Sequence, residues 1–200
     1  MNDILGDPKK SLFLGVAISL AILIAWMAIA GADRVGLVSF LLRWVHVFSA
    51  IIWVGMIWFV NFIQFAAIRD ADDAGKAAIH KFIVPKVAKT FRHTSHAVLL
   101  TGILLLIPSG YLLDRLIFTS AVYVPPLRNA LLWSGTIAGV AMWAFVHFKI
   151  WPNIKIVLGE TPGDADAKAR ARDTVRIYAR LNLILALPVT FVMIAAAHLY

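Results

Sequence analysis

Long apolar runs separated by short polar stretches dominate the chain. About 20 residues at roughly 1.5 Å rise cross the roughly 30 Å hydrocarbon layer of a bilayer as an α-helix. Five runs meet that length: residues 11–30, 38–68, 95–118, 129–151 and 181–199. Pro108 and Gly110 interrupt the third and Pro188 lies inside the fifth. Membrane helices tolerate such residues because neighbours re-satisfy the freed carbonyl, usually with a kink. The pattern predicts an all-α integral membrane bundle of five transmembrane helices forming a single domain.

Two connections carry a pattern of their own. Between residues 75 and 92, Ile79, Phe82, Ile83, Val87 and Phe91 recur at helical spacing with lysines between them. That spacing predicts an amphipathic helix on the membrane interface, bent near Pro85. Between residues 160 and 180, Thr161-Pro162-Gly163 is a turn, and Asp164 or Asp166 is placed to cap a helix leading into the fifth span. The stretch 118–128, with Pro125-Pro126, reads as a short extended loop, and no internal repeat is visible.

The second span is not uniformly greasy. At roughly 100° per residue, Ser49, Trp53, Asn61 and Gln64 fall within about 60° of His46. Polar groups are expensive in lipid, so this face is expected to look into the protein, and an intramembrane histidine is a functional hypothesis by default.

Composition narrows the class. The chain is 61% apolar and 15% charged, too hydrophobic for an ordinary soluble domain of this size. Its 19 Lys+Arg against 11 Asp+Glu lie between the apolar runs, which argues against nucleic acid as a partner. Lys9 and Lys10, the cluster from Arg69 to Arg92 and the cluster from Lys149 to Arg180 fall on one side of the five spans, while Arg34, Arg43, Arg115 and Arg128 fall on the other. The positive-inside rule then puts the N-terminus and the interfacial helix in the cytoplasm and the C-terminus outside. The first run, with its two lysines and Ala28-Ile29-Ala30, has the outline of a signal peptide but is read as a retained membrane helix. There are no cysteines, which excludes disulfides, thiolate metal sites and the C-x-x-C-H attachment of a c-type haem.

The six histidines fall at definite depths in this topology. His46 and His198 lie in the outer parts of spans two and five. His93 and His96 mark the inner start of span three, and His147 lies near the inner end of span four. His80 reads as a solvated residue of the interfacial helix. An outer pair and an inner group suit one or two b-type haems held between helices by imidazole. The assignment is His46 and His198 as outer ligands and His96 (or His93) with His147 as inner ones. Arg43 is placed to meet a propionate, and Thr136 and Trp143 share the face of His147 as hydrogen-bond donor and packing surface. A histidine also serves as a polar tip at the headgroups or as a donor to a neighbouring carbonyl, and Trp44, Trp53, Trp58 and Trp151 read as packing and interfacial anchors.

LLRWVHVFSAIIWVG, residues 41–55, resembles the opening helix of the membrane domain of bacterial membrane-bound urate hydroxylases. ARLNLILALPVTFVMIAAAHLY, residues 179–200, is similar to a second segment of that domain, at Asn182, Leu187, Pro188, Val189, Phe191, Met193, Ile194, His198 and Tyr200. The His46-to-Gly55 pattern is more distantly similar to copper-resistance D proteins and to membrane protoporphyrinogen oxidases, the latter haem-binding. The resemblance implies a histidine-bearing helical bundle in a bacterial inner membrane; the chain departs from the larger urate enzymes in having no cysteine for their cytochrome c domain and in its extra leading helix. The functional expectation is a b-type haem protein carrying electrons within or across the bilayer, with a quinone or a separate cytochrome as redox partner, alone or in an oligomer or larger complex. Two other readings stay open: a haem-dependent oxidoreductase acting on urate or a porphyrinogen, and a non-redox accessory or copper-handling subunit.

Overall fold

In the computed structural model the chain is all-α, and residues 2–31, 34–108 and 126–199 are described. Contacts divide it into two units, residues 1–40 and 41–200. In the first, a short α1 (Asn2–Leu5) precedes α2 (Pro8–Ala30). Asp7 caps α2 by accepting from the Lys9 amide at 2.8 Å, with Pro8 in the first turn where its missing N–H is no loss. Gly31 ends it at φ 69°, a backbone angle that side chains resist. Phe13, Ile22, Ile24 and Ile29 stand exposed along α2, the surface a lipid-facing helix requires.

Helix α3 (Arg34–Trp58) continues through a π-helical stretch, Phe59–Gln64, into α4 (Phe65–Asp70). After a break at Ala71, α5 (Asp73–Ala78) is capped by Asp72, whose Oδ1 accepts from the Gly75 amide at 2.7 Å. A π-helical turn, Ile79–Ile83, then leads into α6 (Val84–Leu106). Beyond the undescribed residues, α7 (Pro126–Ala144) passes through a third π-helical stretch, Phe145–Ile150, into α8 (Trp151–Leu158). Gly159 closes α8 in the left-handed region, and α9 (Ala165–His198) runs for 34 residues. The cap expected for α9 is Asp164, which accepts from the Ala167 amide at 2.7 Å, and the helix runs unbroken through Pro188.

The core of residues 41–200 forms where α3, α6, α7, α8 and α9 meet, around Trp53, Ile57, Phe91, Met142, Val146 and Val175. Helices α7 and α9 approach closely at Gly135, where a Cβ would stand 2.9 Å from Val192 Cγ2 and 3.0 Å from Met193 Cε. Small residues at such crossings let membrane helices pack backbone to backbone. Asn61 ties the first π-helical stretch to α9, its Nδ2 donating to the carbonyls of Ile57 at 2.8 Å and Ala179 at 3.2 Å.

Among the described residues four helices are long and apolar enough to cross a membrane: Pro8–Ile29, Gly36–Asp70, Leu127–Leu158 and Ala165–His198. The chain is a multi-pass all-α membrane protein. The third expected span, residues 95–118, is described only to Pro108, and the rest of it, with most of the 118–128 loop, lies outside the described residues. Helix α6 does not qualify by hydropathy because Lys86, Lys89 and Arg92 fill its first turns. The expected interfacial helix is continuous with α6 and turns much of its apolar face inward: Val84 and Phe91 are core and Ile79 packs against it, leaving Phe82 and Ile83 exposed. Trp53, on the face expected to look inward, is a core packing residue, its ring edge-on to Phe91 at 6.4 Å.

Candidate functional site

His46 occupies a seat on α6. Its Nδ1 lies 3.0 Å from the Val98 carbonyl and 3.2 Å from the Thr101 hydroxyl. Thr101 spends its only proton on the carbonyls of its own helix, Ala97 at 2.6 Å and Val98 at 3.3 Å. Both neighbours of Nδ1 therefore accept, so Nδ1 carries the proton, and in neutral imidazole Nε2 keeps its lone pair. Gly102 makes the seat: a Cβ there would stand 3.0 Å from His46 Cε1. The carbonyl donation foreseen as a structural role for His46 is also the contact that fixes a metal ligand's tautomer.

A second cluster joins α6 to the end of α7. His96 donates from Nδ1 to the Arg92 carbonyl at 2.7 Å, which also takes the Ser95 hydroxyl at 2.7 Å. The His96 and His147 rings lie 5.3 Å apart, edge to face at 72°, while Trp143 stacks flat on His147 at 5.2 Å and 8°. The indole Nε1 of Trp143 and Nδ1 of His147 are buried without a partner. Trp143 does supply the packing surface expected of it. Thr136 instead bonds the Leu132 carbonyl at 2.8 Å, as helical threonines commonly do.

The polar face of α3 and its continuation is buried: Ser49, Trp53, Asn61 and Gln64 all lie inside the protein. Several of these groups lack partners, namely Trp53 Nε1, Asn61 Oδ1 and Gln64 Oε1, together with both amide atoms of the fully enclosed Asn182. Buried polar groups in native proteins nearly always have a partner, so such a concentration marks places where water or a ligand belongs. Gln64 borders a half-open cavity of about 360 Å³ lined from the three π-helical stretches, α4, the start of α6, α8 and α9, with Phe65, Phe91 and Trp151 in its wall and Arg69, His80, Arg172, Asp173 and Arg176 among its polar residues. His80 is thus not a solvated residue: it lines this cavity half-buried, and burial, aided by the nearby Arg172 charge, lowers its pKa from 6.5. Sequence pattern placed it on an exposed face because its neighbours come from segments far away in the chain.

The remaining assigned residues lie apart from these clusters. His93 is exposed one turn before His96, His198 is exposed in the last turn of α9, and Arg43 is exposed one turn before His46. The structure brings His96 and His147 together. His46 has its neighbours on α6, at Val98, Thr101 and Gly102. Among the described residues no three His, Asp or Glu side chains gather into a metal-holding group. Comparison with family models, curated proteins and solved structures returns no match. Fold and site together define a multi-pass helical membrane protein with a polar, histidine-bearing interior.

Proposed function

We propose that the chain is a b-type haem membrane protein that carries electrons within or across the bilayer, with His46 as the residue that would hold the iron through Nε2. The supporting observation is the His46 seat. Metal-ligating histidines almost always donate their other ring N–H to a carbonyl or carboxylate, and the Val98 carbonyl fills that role at 3.0 Å. His96 repeats the arrangement with the Arg92 carbonyl, which supports a second site at the inner level. The donor chemistry therefore fits haem. The inner pair fits it through one imidazole only, because the His96 edge against the His147 face leaves no gap for a macrocycle between them. Bound haem supplies a one-electron iron couple. The protein's own groups hold the His46 tautomer, place Arg43 one turn away for a propionate, and surround the inner imidazoles with Trp143 and Phe148.

The same reading places α6 as the third of five spans, with the lysine-rich ends in the cytoplasm of a bacterial cell. A quinone or a separate cytochrome is the redox partner.

A dithionite-reduced minus oxidised spectrum of the purified protein tests the proposal, with haem per chain measured as the pyridine haemochrome. The expected result is a b-type spectrum at one or two haems per chain, with one lost in His46→Ala. A haem-free protein at full occupancy overturns it and brings the accessory or metal-handling reading forward.

A further inference from the structure

The cavity beside Gln64 is lined by none of the histidines assigned to haem, only by His80. Its wall is mostly apolar and includes the rings of Phe65, Phe91 and Trp151. At its edge is one neutral amide: Gln64 is 6% exposed, and its Oε1 has no hydrogen-bond partner. A ligand that only filled the space with hydrocarbon would leave that oxygen unsatisfied at an appreciable cost. An anionic head group is poorly matched as well. Of the lining cations, Arg69 is held by Asp70 at 2.7 and 3.1 Å and Arg176 by Asp173 at 3.0 Å; Arg172 remains, but next to it in the chain is Asp173, a carboxylate that itself lines the cavity and repels an anion.

We infer that this cavity binds the head group of a membrane quinone or quinol, its ring between the aromatic walls and one oxygen at the Gln64 amide. A quinone oxygen accepts from an amide N–H and a quinol O–H donates to an amide oxygen, so one glutamine serves both forms. Neutral, flat and apolar on its faces, such a ring suits a mostly apolar wall whose buried, unpartnered polar group is an uncharged amide. His80, on the same cavity, offers a second neutral polar partner, since burial and Arg172 hold its pKa below 6.5. The choice of a quinone among neutral ring ligands rests on the redox reading above.

The test is a titration of decylubiquinone into the full-length protein in phosphatidylcholine nanodiscs, followed by quenching of tryptophan fluorescence, to which Trp151 in the cavity wall contributes. Haem content is measured on the same samples. Saturable quenching is expected, weakened about tenfold by Gln64→Leu, the loss of one good hydrogen bond. It should weaken similarly in Val87→Phe, which fills the cavity, with haem spectrum and thermal midpoint kept in both variants. Absence of saturable quenching overturns the assignment, as does quenching that neither variant alters. Competition by phosphatidylglycerol but not by added phosphatidylcholine also overturns it, in favour of an anionic lipid. A haem-free protein that binds decylubiquinone with this variant pattern ends the haem proposal and leaves the cavity assignment standing, whereas a haem-loaded protein that binds none does the reverse.

Discussion

Gly102→Ala isolates the His46 seat without touching the imidazole. The added Cβ would stand 3.0 Å from His46 Cε1 and 3.3 Å from Nδ1. Carbon atoms rest at about 3.5–4.0 Å, so the ring must retreat from α6 by about half an ångström. That retreat stretches the Nδ1 bond to Val98 from 3.0 Å to about 3.5 Å, where a hydrogen bond has lost most of its strength. A net bond of this kind contributes about 0.5–1.5 kcal/mol, a modest loss to folding. The effect on a metal ligand is larger, since removing the partner that orients it lowers affinity by roughly 10–100-fold. Gly102→Ala is therefore expected to fold, to lose about 1 kcal/mol of stability, and to release haem far more readily than the parent. The assay is haem transfer to apomyoglobin, followed at the Soret band, beside a thermal melt. A variant that melts lower yet releases haem at the parental rate would refute the assignment of His46 and leave the seat a packing contact.

Other perturbations follow from the buried groups. Asn182 is fully enclosed with both amide atoms unpartnered, so Asn182→Leu is expected to raise the thermal midpoint by removing an unsatisfied group worth about 1–3 kcal/mol; a clear fall in a melt would show that ordered water satisfies the amide. Gly135→Val drives carbon into Val192 and Met193 and should cost about 1–3 kcal/mol by overpacking, read as easier unfolding in mixed micelles. An unaltered unfolding curve would mean that α7 and α9 separate freely. His80 has a folded pKa below 6.5, so the folded state binds fewer protons than the unfolded one. Its contribution to stability is thus present above pH 6.5 and lost as the pH falls through the folded pKa. The melt of His80→Gln should accordingly respond less to acidification below pH 6.5 than the parental melt, and equal slopes would count against the buried imidazole. Arg172→Ala should move the His80 titration toward 6.5, as followed by NMR of the ring protons.

What the sequence revealed was whatever a single helix encodes. The polar face of the second span was legible because helical periodicity places Ser49, Trp53, Asn61 and Gln64 together, and all four are buried. The α9 cap at Asp164 was legible because an N-cap acts within three residues, as its bond to Ala167 shows. The cavity was not legible. It is assembled from residues 60–69, 80–91, 146–157 and 172–179, and no local pattern reports that these meet. The inward turn of residues 79–91 was missed for a related reason: an amphipathic face looks the same whether its apolar side meets lipid or a neighbouring helix. Gly102 and Gly135 gave no signal at all, because a glycine that admits an imidazole or a methionine differs from other glycines only in what lies opposite.

The unpartnered polar atoms link these observations. Trp53 Nε1, Asn61 Oδ1 and Gln64 Oε1 lie along one continuous helical stretch that ends at the cavity, and Asn182 lies one turn beyond the Ala179 carbonyl that receives Asn61. Asn61 serves the fold through its Nδ2 bonds to Ile57 and Ala179, but the unpartnered atoms add nothing to it, since an apolar surrounding neither hydrates them nor rewards their burial. Two of the paired groups behave differently: His46 and His96 each commit Nδ1 to a backbone carbonyl, which in neutral imidazole leaves Nε2 its lone pair. A bundle selected for stability alone would have neither the orphaned amides nor the half-committed imidazoles. Under the proposed function the interior is arranged for guests, with metal-bound imidazole at the seats on α6 and a polar ring or water at Gln64.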